Sequence, residues 1–205
     1  MYAATTVLAL AALASTVSAT LNINNWCNVP VYVYQSNCGS CDKGSNGACN
    51  QSPYVIGAGN GGSILRLDWI RNNCGTSVKI SKNDPGFNSG ILQFEYTYAS
   101  GDGLYWDVSN IDGAGAGRAG TPFYHDNVKA TPTDAGAGQG TCQKIRCPAN
   151  QLCVDAYNHP DDVRTRWCPL NTGDMWLDLC EPTEFFNNKR ELPALEARRA
   201  IAFTA

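Results

Sequence analysis

Apolar residues in this chain recur at every second position over short stretches, and the stretches are separated by clusters of Gly, Asn, Asp, Ser and Pro. That period belongs to strands with one face buried, and helix-length 3.6-residue periodicity is scarce. Seven segments predict strands: LNINNW, PVYVYQ, SILRLDW, SVKIS, ILQFEYTYA, GLYWDVSNI and MWLDLC. Val29, Val31 and Val33 show the alternation, which directs them to one side of a sheet. The expected fold class is all-β, with two sheets packed face to face to bury those sides. The stretch from Cys38 to Gly62 shows no strand pattern and reads as a loop excursion. The runs GAGAG (113–117) and AGAGQG (135–140) read as flexible connections, because neither sits between a strand and a helix as a phosphate-binding loop must.

Both ends of the chain depart from this pattern. Thr5 to Val17 is an uncharged run of Ala, Leu, Val, Thr and Ser, followed by the small residues Ser18 and Ala19. It is too short to span a bilayer, so residues 1–19 are expected to be a cleaved signal peptide. All ten cysteines lie beyond that point: Cys27, Cys38, Cys41, Cys49, Cys74, Cys142, Cys147, Cys153, Cys168 and Cys180. An even count in an exported chain predicts a disulfide framework and an extracellular or cell-wall location. Zinc ligation by Cys38 and Cys41 is disfavoured, since no second close pair follows at finger spacing. One domain over 20–182 is expected, with a tail at 183–205 carrying the dibasic pairs Lys189–Arg190 and Arg198–Arg199. The tail is either trimmed at those pairs or kept as a short helix.

A formal net charge of −3 argues against nucleic acid or an anionic membrane as partner. No cofactor or metal site is expected: His125 and His159 are isolated, and no Gly-x-Ser-x-Gly motif is present. Asn50-Gln51-Ser52 is a glycosylation sequon inside the cysteine-rich loop, as suits a surface position.

LQFEYTYASGDGLYWDVSNIDG (92–113) resembles the central strand pair of thaumatin-like proteins. LNINNWCNVPVYVYQ resembles the family's opening strands, CQKIRCP its paired-cysteine segment, and CVDAYNHPDD with Cys168 and LDLCEP its carboxyl end. The blocks occur in the family's order. The disulfide-rich second domain of large plant members is missing between Cys147 and Cys153, so the chain is similar to the small fungal secreted group. That resemblance implies a thaumatin-like β-sandwich bridged Cys27–Cys180, Cys142–Cys168 and Cys147–Cys153. Cys38, Cys41, Cys49 and Cys74 are left to pair among themselves.

Large members of the family carry an acidic cleft associated with β-1,3-glucan binding or slow hydrolysis. The resemblance implies that Glu95 in QFEY, Asp107 in WDVS and Asp112 in NIDG stand at cleft positions, with Asp162 or its neighbour Asp161, and with Arg71 or alternatively Arg66. Asp107 and Asp112 are five residues apart, so a straight strand would direct them to opposite faces; a turn or bulge near Asn110 must re-aim one. Tyr105, Trp106, Tyr124 and Tyr157 are candidate stacking faces for a sugar. The bland alternative pairs the acids with Arg71, Arg118 or Arg164. The reading is therefore a secreted monomer binding cell-wall β-1,3-glucan. The other classes are a weak endo-β-1,3-glucanase using Glu95 with Asp107 or Asp112, and an adhesin or effector that binds a host protein.

Overall fold

A computed structural model describes residues 19–59, 63–83, 90–114 and 122–187. Most of the expected leader, both dibasic pairs and Arg118 lie outside the described residues.

Eleven strands are described: β1 (Thr20–Asn25), β2 (Val31–Asn37), β3 (Tyr54–Ile56), β4 (Ser63–Asp68), β5 (Thr76–Ser81), β6 (Leu92–Ala99), β7 (Gly103–Ser109), β8 (Val128–Pro132), β9 (Ile145–Cys147), β10 (Arg166–Pro169) and β11 (Met175–Leu179). Two short helices, α1 (Ile111–Ala114) and α2 (Thr183–Asn187), complete the described elements with one 3₁₀ turn at Asp134–Gly136. One sheet has the order β4-β1-β11-β8-β9 and the other β10-β7-β6-β5-β2-β3. The β1–β11 pair is parallel, which brings the two ends of the domain side by side. Cys27–Cys180 closes that junction across a sequence separation of 153.

The alternation read from the sequence becomes the sandwich core. Val31 and Val33 of β2, Val78 and Ile80 of β5, Phe94 of β6 and Trp106 and Val108 of β7 face inward and are fully buried. They meet Leu21, Ile23, Leu177 and Leu179 from the other sheet. Phe94 stacks on Trp106 with ring centroids 5.6 Å apart, and Trp106 Nε1 donates to Cys168 Sγ at 3.1 Å. A buried aromatic pair of this kind contributes about 1 kcal/mol beyond its area. Val29 does not share the buried face; it precedes β2 and is exposed.

All seven predicted segments are strands, and four short ones (β3, β8, β9 and β10) escape the sequence pattern because they have three to five residues each. β3 lies inside the stretch read as pure loop, pairing with β2 from Val31↔Ile56 to Val33↔Tyr54. The rest of that stretch is stapled by Cys38–Cys74 and Cys41–Cys49. Asn50 stands on it, exposed and at a φ of 53°. Cys142–Cys168 and Cys147–Cys153 complete the five bridges. The second Gly-Ala run is not slack either. It forms the 3₁₀ turn, where a Cβ on Gly136 would lie 1.8 Å from Thr172 Oγ1.

α2 lies beyond the boundary expected at residue 182 and packs onto the domain. Phe185 meets Trp26 at 5.4 Å, while Phe186 is buried beneath the Arg146 guanidinium, 4.5 Å from the ring centroid. Beneath α2 the outer face of the five-stranded sheet is closed. Asn24 Nδ2 and Trp26 Nε1 both donate to Asp178 Oδ1 at 3.0 Å, and Lys129 pairs with the fully buried Glu181 at 2.7 Å. Among the described residues, the outer face of the six-stranded sheet carries no helix over it.

Candidate functional site

The hairpin β6–β7 sets the geometry of the open face. Ala99↔Gly103 flank a turn in which Asp102 N–H donates to Ala99 O and Gly101 holds a φ of 82°, a left-handed conformation that glycine adopts without strain. From that turn the register runs back to Tyr96↔Trp106 and Glu95↔Asp107. A slip of one residue would turn Trp106 outward and Asp107 inward, so burial of Phe94, Trp106 and Val108 fixes where the two acids stand.

The same register continues sideways. Ser36 pairs with Ser77, Ser77 with Glu95, and Glu95 with Asp107, making a polar row across four strands. Directly paired side chains on one face lie about 5 Å apart at Cβ. Asp112 arrives by another route: after β7 the chain turns at buried Asn110, whose N–H donates to Tyr157 O and whose side chain donates to Asn158 Oδ1, and α1 begins. That turn brings Asp112 to the mouth of the same groove, where its charge acts on Glu95. The groove holds ≈ 540 Å³; Lys79, Gln93, Thr97, Tyr105 and Thr165 complete its polar walls.

Its electrostatics are those of crowded acids with too few donors. Burial, followed by the Asp112 charge, pushes the Glu95 carboxyl up, against the opposing effects of a Ser109 hydrogen bond and Lys79. Asp107 is pushed up to about 7, first by burial and then by the Glu95 charge facing it. Asp107 Oδ1 is buried without a hydrogen-bond partner among the described residues. Lys79, whose charge acts on Glu95, is drawn toward the cysteine-rich loop by Asp42 at 2.8 Å. The bridge Cys41–Cys49 and the bond from Asn50 N–H to Asp42 O hold that loop segment in place.

Other residues singled out from the sequence lie elsewhere. Asp162 Oδ2 accepts the N–H groups of Asn158 and His159 at 2.8 and 2.9 Å, and those two bonds hold its pKa down; it organises its own loop and does not line the groove. Arg71 stacks on Tyr98, 4.6 Å from the ring centroid, in a separate pocket of ≈ 330 Å³ at the end of the sandwich. Arg66 is exposed on β4, in the opposite sheet. Among the four candidate aromatics only Tyr105 lines the groove, its hydroxyl donating to Asp102 at 2.6 Å. Trp106 is core, Tyr124 donates to Asn150 O, and the Tyr157 hydroxyl meets Thr165 Oγ1. Reading by motif overlooked Ser36, Ser77, Gln93 and Thr97. The alternation that buries Val78 and Ile80 already implied Ser77 and Lys79 on the opposite face, so the strand parity of SVKIS and QFEYT was the signal for most of them. No cluster of three or more His, Cys, Asp or Glu among the described residues is arranged to hold a metal ion.

Two packed sheets, five bridges and an acidic row on the outer face define a small, disulfide-rich thaumatin-like β-sandwich. Only a short loop joins Cys147 to Cys153, a sequence separation of 6, so the large second domain is lacking. The profile of the Blastomyces yeast-phase-specific protein family matches residues 67–181, and the chain belongs to that family of small fungal thaumatin-like proteins. It is 31% identical over 193 residues to an antigenic thaumatin-like protein of Arthroderma benhamiae, covering 88% of this chain and 84% of the relative. To the secreted thaumatin-like protein calA of Emericella nidulans it is 36% identical over 95 residues, 46% of this chain and 48% of the relative. The crystal structure of the protein elicitor MoHrip2 from Magnaporthe oryzae shares the fold, with a TM-score of 0.56 at 23% identity over 80% of this chain and 99% of that one. The bridged framework and the secreted relative mark an extracellular protein.

Proposed function

We propose that the open groove binds β-1,3-glucan of the fungal cell wall, and that the protein works there as a wall-associated binding protein. The observation that supports this reading is the row Ser36–Ser77–Glu95–Asp107, with Asp112 at the mouth and Tyr105 beside it. Hydroxyls and carboxyls spaced at strand intervals offer a series of acceptors to the hydroxyls of an extended polysaccharide, and Tyr105 offers a ring face. The groove is open to solvent, which suits binding better than turnover. A wide groove above half-buried acids excludes water poorly and stabilises developing charge less.

A second reading rests on the raised carboxyl of Asp107. An acid near 7 facing another carboxyl is the arrangement of a glycosidase, in which one group protonates the leaving oxygen. Adjacent-strand carboxyls suit the short separation of a retaining mechanism, about 5 Å. The test is retention on insoluble β-1,3-glucan, with chitin as control and laminarin as competitor, alongside reducing-end release from laminarin. For a binding protein, Glu95→Gln weakens retention a few-fold and neither wild type nor variant releases reducing ends. Turnover by wild type that falls about 100-fold or more in Glu95→Gln and Asp107→Asn would install the hydrolase reading. Absence of both retention and turnover would favour a host protein as partner.

A further inference from the structure

The first strand begins where the sequence places the end of the leader, and a carboxylate waits at that point. Thr20 N–H donates to Asp174 Oδ1 at 2.9 Å, and Thr20 Oγ1 donates to the same oxygen at 3.1 Å. Asn22 Nδ2 in turn donates to Thr20 Oγ1 at 3.1 Å. Asp174 is itself fixed: its carbonyl accepts both the N–H and the hydroxyl of Thr133, at 3.0 and 2.8 Å, and Met175 after it opens β11 beside Leu21. Gly173 is pinned beneath Asp134, since a Cβ there would lie 1.8 Å from Asp134 Oδ2. The carboxylate is therefore presented to the Thr20 nitrogen by a preorganised turn.

We infer that removal of the leader between Ala19 and Thr20 creates a structural ion pair, in which the new α-ammonium of Thr20 occupies the Asp174 carboxylate. Cleavage is hydrolysis: water adds across the Ala19–Thr20 peptide bond, the Ala19 carbonyl becomes a carboxylate that leaves with the leader, and the Thr20 nitrogen becomes an amine that takes a proton at neutral pH. A hydrogen bond charged only on the acceptor side thereby becomes one charged on both sides, adding the attraction between ammonium and carboxylate. The surroundings favour the cation. Asp68 is its cross-strand partner on β4, and Asp134 and Asp174 line the adjoining pocket; the cations nearby are Arg71, which is stacked on Tyr98 in that pocket, and Arg66, which stands opposite Asn22 two residues along β4. Ala19 lines that same pocket, so its departure also exposes part of the wall. The pair fastens the leading edge of β1 to the turn before β11, at the opposite end of the parallel pair from Cys27–Cys180.

The experiment uses the secreted protein and a version with one glycine inserted between Ala19 and Thr20, each with and without Asp174→Asn, their starts assigned by N-terminal sequencing. The insertion keeps the Thr20 amide bond to Asp174 but moves the charge one residue away. Wild type should start at Thr20, and the insertion should lower Tm by about 2–4 °C at pH 6. An amine whose pKa is raised by a partner stabilises the fold below its unfolded value, about 8, and ceases to do so as pH rises through the folded value. The difference should therefore close by about pH 10. In the Asp174→Asn background the insertion should cost nothing at any pH. A start other than Thr20, or an equal loss in both backgrounds, overturns the inference.

Discussion

The two outer faces of the sandwich treat polar residues in opposite ways. On the five-stranded sheet, Asn24, Asp178, Lys129 and Glu181 lie beside Trp26 and α2, and the Asp178 and Glu181 carboxylates meet donors at 3.0 Å or less, while Asn24 Oδ1 and Thr131 Oγ1 are buried without a hydrogen-bond partner among the described residues. On the six-stranded sheet, Glu95 and Asp107 face each other half-buried, with the Asp107 Oδ1 unpartnered among the described residues and the Lys79 ammonium drawn to Asp42. Strand pairing is equally regular in both. Paired charges beside a lid hold a fold together, whereas half-buried acids that face each other have raised pKa values, a pattern that marks a candidate functional site. The difference separates structure from candidate function within one molecule.

The largest effect should come from breaking the closed face. Lys129→Ala leaves the Glu181 carboxylate, with no exposed side-chain surface, short of its ammonium partner, and should cost about 3–5 kcal/mol in urea unfolding. A cost below about 1 kcal/mol would mean that the lid admits water and that the two faces are less different than their packing suggests.

Next, and of opposite sign, is the open face. The Asp107 carboxyl titrates near 7 in the folded chain but lower when unfolded, so the folded state holds its proton over the interval between the two values. Stability from this group is greatest below the unfolded value, about 4, and falls as pH rises toward 7. Asp107→Asn should remove that slope and leave the protein more stable at neutral pH, by on the order of 2 kcal/mol after allowance for coupling to Glu95. Thermal melts from pH 4 to 8 read it directly; an unchanged slope in the variant would place the strain on another group.

The smallest effect is expected from Ser77→Ala, which leaves the sheet intact and removes one hydroxyl between Ser36 and Glu95. That hydroxyl donates to the buried Gln93 Oε1 at 2.7 Å, so stability should fall by about 1 kcal/mol, while retention on β-1,3-glucan drops measurably. Loss of stability without loss of retention would move Ser77 from the binding row to the structural side of the comparison.

Much of this was legible along the chain, and the limits of legibility have physical causes. The alternation in SVKIS, QFEYT and LYWDVS has a period of two, so it declares which residues share a face before any partner strand is known. Ten cysteines, an even count, declare bridging. Register, lids and pockets are sums over contacts between distant segments, and no local pattern encodes them. Glu95 and Asp107 come together because a glycine turn sets one hairpin, whereas Ser36 joins them only after two further pairings. Arg71 and Asp162 occupy suitable positions in the motifs, yet Arg71 is held away on Tyr98 and Asp162 is consumed by two backbone N–H groups. Pairing of Cys38 with Cys74 and of Cys41 with Cys49 was equally open until the loop folded. The sequence by itself determined the strands, their inward faces and the bridging, because those follow from side-chain chemistry at fixed local spacing. Tertiary structure alone decided which outer face is roofed by α2 and which carries no helix among the described residues, because the roof is α2 resting on Trp26, a contact between the two ends of the domain.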